Sequence, residues 1–444
     1  MYALLKILVR FSLIAYFRKI RIEGKEKIKK GQPYILISNH PSAFMDPISI
    51  GVNIKPTIYF LAAGEYMGRG FKFWFMNRFL NMIPVYRPET MPTKTHKNDA
   101  IFEKCIAHLN SGRTILVFPE GVSSPDKKII PLKTGVARIA RATELSKDLQ
   151  ANIQIIPIGL NYSDPHKFRS DLFINVGDPI KAADFFSTAP ENEQEEVKAL
   201  TDHMEKALID TVLHMEELEY DELLTKVNET YMRDLKTELG VEYTDQQREF
   251  ELNKLMLSAF SYFRENAPAK YEEMRAELDK YFGILAEHNI HDRELRKVDD
   301  KMNIAQWLMM IIGAPFFIFG LVSNIIPYQL TTALQGKIDV KDTFRGSINL
   351  AVGIVIFLLW YALITVFLVV YTPLSYFGLL AIVVLYFSGL HVLIYSNIFR
   401  YLNKRKKLRR YFKEHPNLKD ELLWYRNDLI KKFEDFRNEF SSRN

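Results

Sequence analysis

The 444-residue chain contains one cysteine, Cys105. A single thiol excludes an internal disulfide and any cysteine-cluster metal site. Cys105 falls in an expected helix, Asn98 to Asn110, beside Ile101, Phe102 and Ile106, so it reads as a packed core thiol rather than a nucleophile. Other strings are missing too. There is no Gly-x-x-x-x-Gly-Lys-Ser/Thr loop, no Gly-x-Gly-x-x-Gly turn and no His-Glu-x-x-His helix. His203, His214, His288 and His291 form no pair with a metal-ligand context. No metal and no cofactor is expected. A Gly-x-Ser-x-Gly elbow is absent, which speaks against a serine hydrolase.

A large charge excess of one sign is also lacking. Lys and Arg number 59 against 53 Asp and Glu, a net +6. That balance suits anionic substrates or an anionic membrane surface, and no nucleic acid partner is expected. Apolar residues make up 48% and aromatics 13%, too rich for disorder. At roughly 100–200 residues per domain, the length allows two or three domains.

Residues 1–24 read as an interfacial helix. Lys6, Arg10 and Arg18 interrupt the Leu, Ile, Val and Phe of this stretch, which is too charged to span easily and has no small-residue cleavage site, so no signal peptide is expected. An internal core helix is the other reading.

From 25 to 190 short apolar strands alternate with amphipathic helices. The strands expected are Pro33–Ser38, Pro56–Leu61, Met82–Tyr86, Thr114–Phe118, Ile153–Ile158 and Leu172–Val176. The helices are Pro47–Val52, Tyr66–Leu80, Asn98–Asn110 and Gly135–Lys147. The alternation predicts an α/β domain with a mostly parallel sheet flanked by helices. Aromatics ring Tyr66–Leu80. It either touches lipid or an acyl chain, or is buried on several sides.

The most informative stretch is Ile35-Leu36-Ile37-Ser38-Asn39-His40-Pro41-Ser42-Ala43-Phe44-Met45-Asp46-Pro47. A buried strand ends near His40, because Pro41 cannot continue a ladder. Asp46-Pro47 reads as an N-cap and a first-turn proline. Both side chains therefore lie at the carboxyl end of a strand, where open α/β sheets bind ligands. An imidazole can take an alcohol's proton while a carboxylate orients it. A loop histidine and a capping aspartate would be the bland reading. Other strand ends add Arg87, Glu120 with Gly121, and Lys133, and Arg87 and Lys133 suit a phosphate.

These blocks resemble the glycerol-3-phosphate and lysophosphatidate O-acyltransferase superfamily. The resemblance covers roughly 25–180 and rests on His40 and Asp46, on Ile83 to Arg87, on Phe118-Pro119-Glu120-Gly121 and on Ile156-Pro157-Ile158. One departure stands out. The usual block has four residues between His and Asp, whereas Pro41 to Met45 makes five. The match is nearest the membrane-bound glycerol-3-phosphate/dihydroxyacetone-phosphate branch. The resemblance implies acyl transfer from acyl-CoA or acyl carrier protein to a phosphorylated glycerol acceptor in phospholipid synthesis. His40 would be the base and Asp46 its orienting partner. Arg87 and Lys133 would hold the phosphate, Glu120 and Gly121 would orient the glycerol, and Pro157 would shape the acyl-donor side. A thioesterase with the same His/Asp pair and a non-catalytic membrane scaffold are the alternatives.

Residues 191–300 read as a charged helical region, with helical spacing in Val197–Leu218 and Asp245–Phe263. Residues 301–400 read as a membrane domain. Stretches 351–370 and 374–397 are long enough to span, with Pro373 between them, and Gly313-Ala314-Pro315 suggests a re-entrant or interfacial hairpin at 304–326. The tail, 401–444, is basic and amphipathic. The positive-inside rule places it in the cytoplasm, and with a cytoplasmic catalytic domain this requires an even number of crossings, hence two. Three crossings are the runner-up.

Overall fold

A computed structural model describes residues 2–29, 31–242, 244–299, 304–338, 341–372 and 377–442. The chain divides into two compact units.

The first unit comprises Met1–His214 and Lys337–Ile354. Its elements are α1 (Tyr2–Tyr16), β1 (Lys19–Glu23), β2 (Tyr34–Ser38), α2 (Met45–Asn53), β3 (Ile58–Ala63), α3 (Gly70–Phe79), β4 (Met82–Val85), α4 (Asn98–Asn110), β5 (Thr114–Val117), α5 (Gly135–Leu145), β6 (Gln154–Tyr162), β7 (Asp171–Val176), β8 (Ile180–Lys181) and α6 (Glu193–Thr211). The sheet order is β1-β7-β6-β2-β5-β3-β4, with β8 on β6. Strands β2 to β6 are parallel to their neighbours among themselves, and only β7 and β8 run antiparallel to β6. The expected α/β architecture is therefore present.

Strand β2 explains why the sheet is covered on both faces. Its five residues are all buried. Ile35 and Ile37 enter one core with Ile115, Ile155, Cys105 and Val136, while Tyr34 and Leu36 enter the other with Leu13, Ile50 and Ile158. Alternate side chains of a strand face opposite sides, so a strand apolar at four consecutive positions, Tyr34 to Ile37, must lie between two layers. Cys105 is fully buried, and burial pushes its thiol up to about 11.

Three expectations within this unit need correction. The amino-terminal segment is not one helix to residue 24: α1 stops at Tyr16, and β1 pairs in parallel with β7. The Lys-Ile-Arg-Ile-Glu alternation of an edge strand is short and charged, so it is easily read as the end of an amphipathic helix. The boundary at 190 also moves. Helix α6 lies on the sheet, with Leu200, Met204 and Leu208 in the core, and the unit runs to His214. Gly159 permits the approach, since a Cβ there would sit 2.0 Å from the Thr211 carbonyl oxygen. The expected Tyr66–Leu80 helix begins only at Gly70, after a left-handed turn at Gly68.

The second unit comprises Met215–Gly336 and Val355–Asn444. It contains α7 (Glu219–Val227), α8 (Arg233–Glu238), α9 (Gln246–Asn266), α10 (Pro268–Glu287), α11 (Asp292–Leu295), α12 (Ile304–Gln335), most of α13 (Asp342–Tyr371), α14 (Gly378–Glu414) and α15 (Pro416–Ser441). Buried Arg426 of α15 ties the charged helices together: it donates to Asp292 at 2.9 Å, Asp234 at 2.6 Å and the Thr230 carbonyl at 2.8 Å. Helices α12 and α14 run antiparallel. Tyr395 donates to the Met310 carbonyl at 3.0 Å and Asn324 to Ser388 at 3.3 Å.

The hairpin expected at 304–326 is not formed. Helix α12 is continuous through Pro315 and Pro327. A proline inside a helix leaves an unpaired carbonyl one turn back, and apolar helices tolerate this where neighbours pack against them. Helix α14 likewise carries the basic stretch 400–413 without a break, so the tail does not begin as a separate element at 401. The turn expected at Pro373 lies outside the described residues. Three helices, Ile304–Gln335, Asp342–Tyr371 and Leu380–Glu414, are long and apolar enough to cross a membrane.

Candidate active site

The carboxyl ends of β2, β3, β4, β5 and β6 share one edge of the sheet, because these strands are parallel. His40 follows β2, Glu65 follows β3, Arg87 follows β4, Glu120 follows β5 and Tyr162 ends β6.

His40 Nδ1 lies 2.8 Å from Asp46 Oδ2. Asp46 is fully buried. An ionised carboxylate only accepts, which puts the ring proton on Nδ1 and leaves Nε2 with its lone pair. Two further donors hold Asp46: the Ser42 backbone N–H reaches Oδ2 at 2.8 Å, and the Tyr162 hydroxyl reaches Oδ1 at 2.9 Å. A buried charge needs such donors, since unpaired it would lose its hydration without replacement. Burial also drives the Tyr162 hydroxyl well above its ordinary value, which keeps it a donor. The His40 ring stacks on Phe118, centroids 4.0 Å apart. His40 lines a small cleft of about 50 Å³ with Glu120, Ile129, Asn161 and Val212.

The expected capping role of Asp46 is not observed. Helix α2 starts at Met45 with Phe44 in the cap position, and Asp46 sits in the first turn with its carboxylate turned back to His40. The five intervening residues close the pair by a tight turn, in which Ala43 takes φ +39°. Asn39 sets where the turn begins. Its side-chain amide donates to the Leu160 carbonyl at 3.0 Å and accepts from the Leu160 N–H at 2.8 Å, extending the β2–β6 ladder by one side-chain rung.

Glu120 is buried, and burial pushes its carboxyl up to about 7, against the lowering effect of the Ile130 and His40 backbone N–H groups. Oε1 accepts from the His40 N–H at 3.1 Å and Oε2 from the Ile130 N–H at 3.5 Å. Both oxygens thus hold backbone.

Arg87 donates through Nη1 to the Gly121 carbonyl at 3.0 Å and through Nη2 to Glu65. Burial works against the Glu65 carboxylate, but the bonded guanidinium holds its carboxyl below the ordinary range. Gly121 has φ +75°, and a Cβ there would lie 2.8 Å from Lys133 Cε and 2.9 Å from Nζ. Two cationic side chains therefore converge on one glycine, next in the chain to the residue that clamps His40.

Pro157 is the one expected site residue set apart. It lies buried within β6, in register with Ile37, and its carbonyl accepts from the Gly177 N–H at 2.9 Å. The residues of β6 at the cleft are Leu160, Asn161 and Tyr162. Glu65 and Tyr162 were not foreseen. Each is a polar residue at the end of an expected or extended strand, and that position is the signal that was available.

The sequence model of the family described as Acyltransferase matches residues 19–161. Over 296 residues the chain is 27% identical to glycerol-3-phosphate O-acyltransferase 1 of Saccharomyces cerevisiae, covering 60% of this chain and 37% of that protein. Tafazzin of Drosophila melanogaster is 27% identical over 236 residues, 46% of this chain and 58% of the relative. The chain thus spans less than two thirds of the length of either. Among solved structures, the 1-acyl-sn-glycerophosphate (LPA) acyltransferase PlsC of Thermotoga maritima aligns at a TM-score of 0.33 and 22% identity, over 46% of this chain and 78% of that one. His40, Asp46, Arg87, Glu120, Gly121 and Lys133 all fall within residues 19–161, the segment that matches the acyltransferase family model.

Proposed function

We propose that the protein transfers a fatty acyl group from a thioester donor, acyl-CoA or acyl carrier protein, to a hydroxyl of a phosphorylated glycerol acceptor, at a membrane. The observation that carries the reading is the His40 Nδ1 to Asp46 Oδ2 contact at 2.8 Å, with Nε2 left to take a proton and the cations Arg87 and Lys133 gathered at Gly121.

The reaction balances without a covalent enzyme intermediate. The acceptor hydroxyl loses its proton to His40 Nε2 as its oxygen attacks the thioester carbonyl. The tetrahedral intermediate collapses, the carbon–sulfur bond breaks, and the imidazolium returns the proton to the departing thiolate. Asp46 holds the ring and stabilises the imidazolium, a device whose base component typically contributes about 10²–10⁴-fold. Arg87 and Lys133 hold the acceptor phosphate, with Arg87 exchanging Glu65 for the ligand. Glu120 acts by fixing the His40 backbone rather than by touching glycerol. Pro157 helps shape the donor side only through the strand that carries Leu160 to Tyr162.

Membrane attachment suits the chemistry, since each buried methylene of an acyl chain contributes roughly 0.8 kcal/mol. Helix α1 buries Leu13 and Tyr16 while Leu4, Ile7, Phe11 and Ile14 remain exposed along one face, which supports an interfacial position. In the proposed topology α13 and α14 cross the bilayer and the acyltransferase domain lies in the cytoplasm. What supports it is that segment 337–354 belongs to the same compact unit as that domain, and that basic residues follow the last span.

The test is purified full-length protein with labelled palmitoyl-CoA and a panel of acceptors: glycerol-3-phosphate, dihydroxyacetone phosphate and lysophosphatidate. Acylation of at least one, abolished in His40→Ala, supports the reading. Thioester hydrolysis with no acylated product would replace it by a hydrolase.

A further inference from the structure

The loop between His40 and Asp46 is strained. Ala43 holds φ +39°, which a residue with a Cβ adopts only when its surroundings impose it. Two serine hydroxyls straddle it. Ser123 Oγ accepts from the Ala43 N–H at 3.0 Å and donates to the His40 carbonyl at 2.8 Å. Ser347 Oγ accepts from the Met45 N–H at 3.1 Å and donates to the Ser42 carbonyl at 3.3 Å. Ser123 belongs to the segment already matched. Ser347 comes from the first turns of α13, 305 residues beyond Ser42, in a helix that continues into a candidate membrane span.

Its surroundings are built for contact. Ser347 is buried. At the neighbouring Gly346 a Cβ would lie 2.5 Å from the Pro165 carbonyl oxygen and 3.4 Å from Ser42 Oγ, so no larger residue lets the helix approach this closely. Phe344 packs edge-on against Phe44, centroids 5.6 Å apart, and Leu350 enters the core cluster that contains Met45.

We propose that Ser347 is a positioning residue for the His40–Asp46 pair: the start of helix α13 holds the strained five-residue loop so that the carboxylate meets the imidazole. This rests on the reading of His40 as the base. The bond from Met45 fixes the residue directly before Asp46, and the bond to Ser42 fixes the residue whose N–H also holds the Asp46 carboxylate. Without Ser347 the loop retains its local bonds but can relax at Ala43, which turns Asp46 away from the ring.

The experiment uses the full-length chain in lipid nanodiscs, with palmitoyl-CoA and glycerol-3-phosphate, in the single variants His40→Ala, Ser347→Ala and Asp46→Asn and in the double variant. Ser347→Ala is expected to lower kcat about 10-fold, the scale of one buried hydrogen bond, with both KM values within about twofold. In the Asp46→Asn background the same substitution is expected to cost less than about twofold, since the pair it positions is already broken. An equal loss in both backgrounds would mean a merely structural role, and wild-type kcat in Ser347→Ala would also overturn the inference. If Ser347→Ala yields no folded protein, Ser347→Cys keeps the volume and a weak donor. It should fall below wild type in kcat alone, and unchanged kcat would again sink the proposal. Activity surviving in His40→Ala would fail the functional reading itself, whereas an inactive His40→Ala beside a fully active Ser347→Ala fails only this inference.

Discussion

The Glu120 carboxylate accepts the backbone N–H of His40 at 3.1 Å and makes no bond to the imidazole. A conspicuous acid of the site is thus a clamp on the chain. Its carboxyl, pushed up to about 7 by burial, lies above the ordinary value of about 4.3 for an unfolded chain. Between these values the folded protein binds a proton that the unfolded chain does not. The stabilisation is therefore fully present below about pH 4.3, falls as pH rises towards about 7, and is lost above it. Glu120→Gln should flatten the dependence of Tm on pH across this window, measured by thermal unfolding in buffers from pH 4.5 to 8. Glu120→Ala leaves the His40 and Ile130 N–H groups unpaired and should cost about 1–3 kcal/mol.

His40→Ala should lower kcat by about 10²–10⁴-fold with little change in the KM of either substrate. Asp46→Asn should approach the same loss, because an amide no longer dictates the ring tautomer. Tyr162→Phe removes one donor to Asp46 and should cost about 10-fold. Initial rates with labelled donor check all three, and an unchanged His40→Ala rate would remove His40 as the base.

Arg87→Lys should raise the KM of a phosphorylated acceptor about 10-fold or more, since an ammonium cannot reproduce the fork between phosphate and the Gly121 carbonyl. Gly121→Ala should do the same while displacing Lys133, whose side chain occupies the space a Cβ needs, and while straining a backbone at φ +75°. KM for glycerol-3-phosphate against its non-phosphorylated counterpart reads this directly. An equal effect on both would place the cations elsewhere in the mechanism.

Cysteine substitutions at Gly336, Lys337 and Ile338 should react, in sealed vesicles, from the same side as a cysteine placed in the acyltransferase domain. Buried Cys105 gives a low labelling background. Labelling from the opposite side would mean three crossings.

The sheet and most of the site were legible because their signals are local. The apolar run Tyr34–Ile37 announces a strand covered on both faces, and the polar residues after successive strands announce one edge of a parallel sheet. Strand β1 was not legible. It gains its identity only from pairing with β7, some 150 residues away, and an isolated Lys-Ile-Arg-Ile-Glu has no preference strong enough to declare it. The continuity of α12 was hidden for a similar reason. Gly313-Ala314-Pro315 reads as a break, yet the His391 ring bonds the Gly313 carbonyl at 3.0 Å and Tyr395 packs beside it.

From residue order alone came the α/β class, the strand ends and the pair at 40 and 46. Periodicity and breakers act within a few residues, so they can be read without a fold. Packing alone decided that Tyr162, Glu120 and Ser347 hold that pair, and that Glu65 holds Arg87. A hydrogen bond joining residues 302 positions apart, as between Met45 and Ser347, leaves no pattern in either neighbourhood and exists only once the chain has closed on itself.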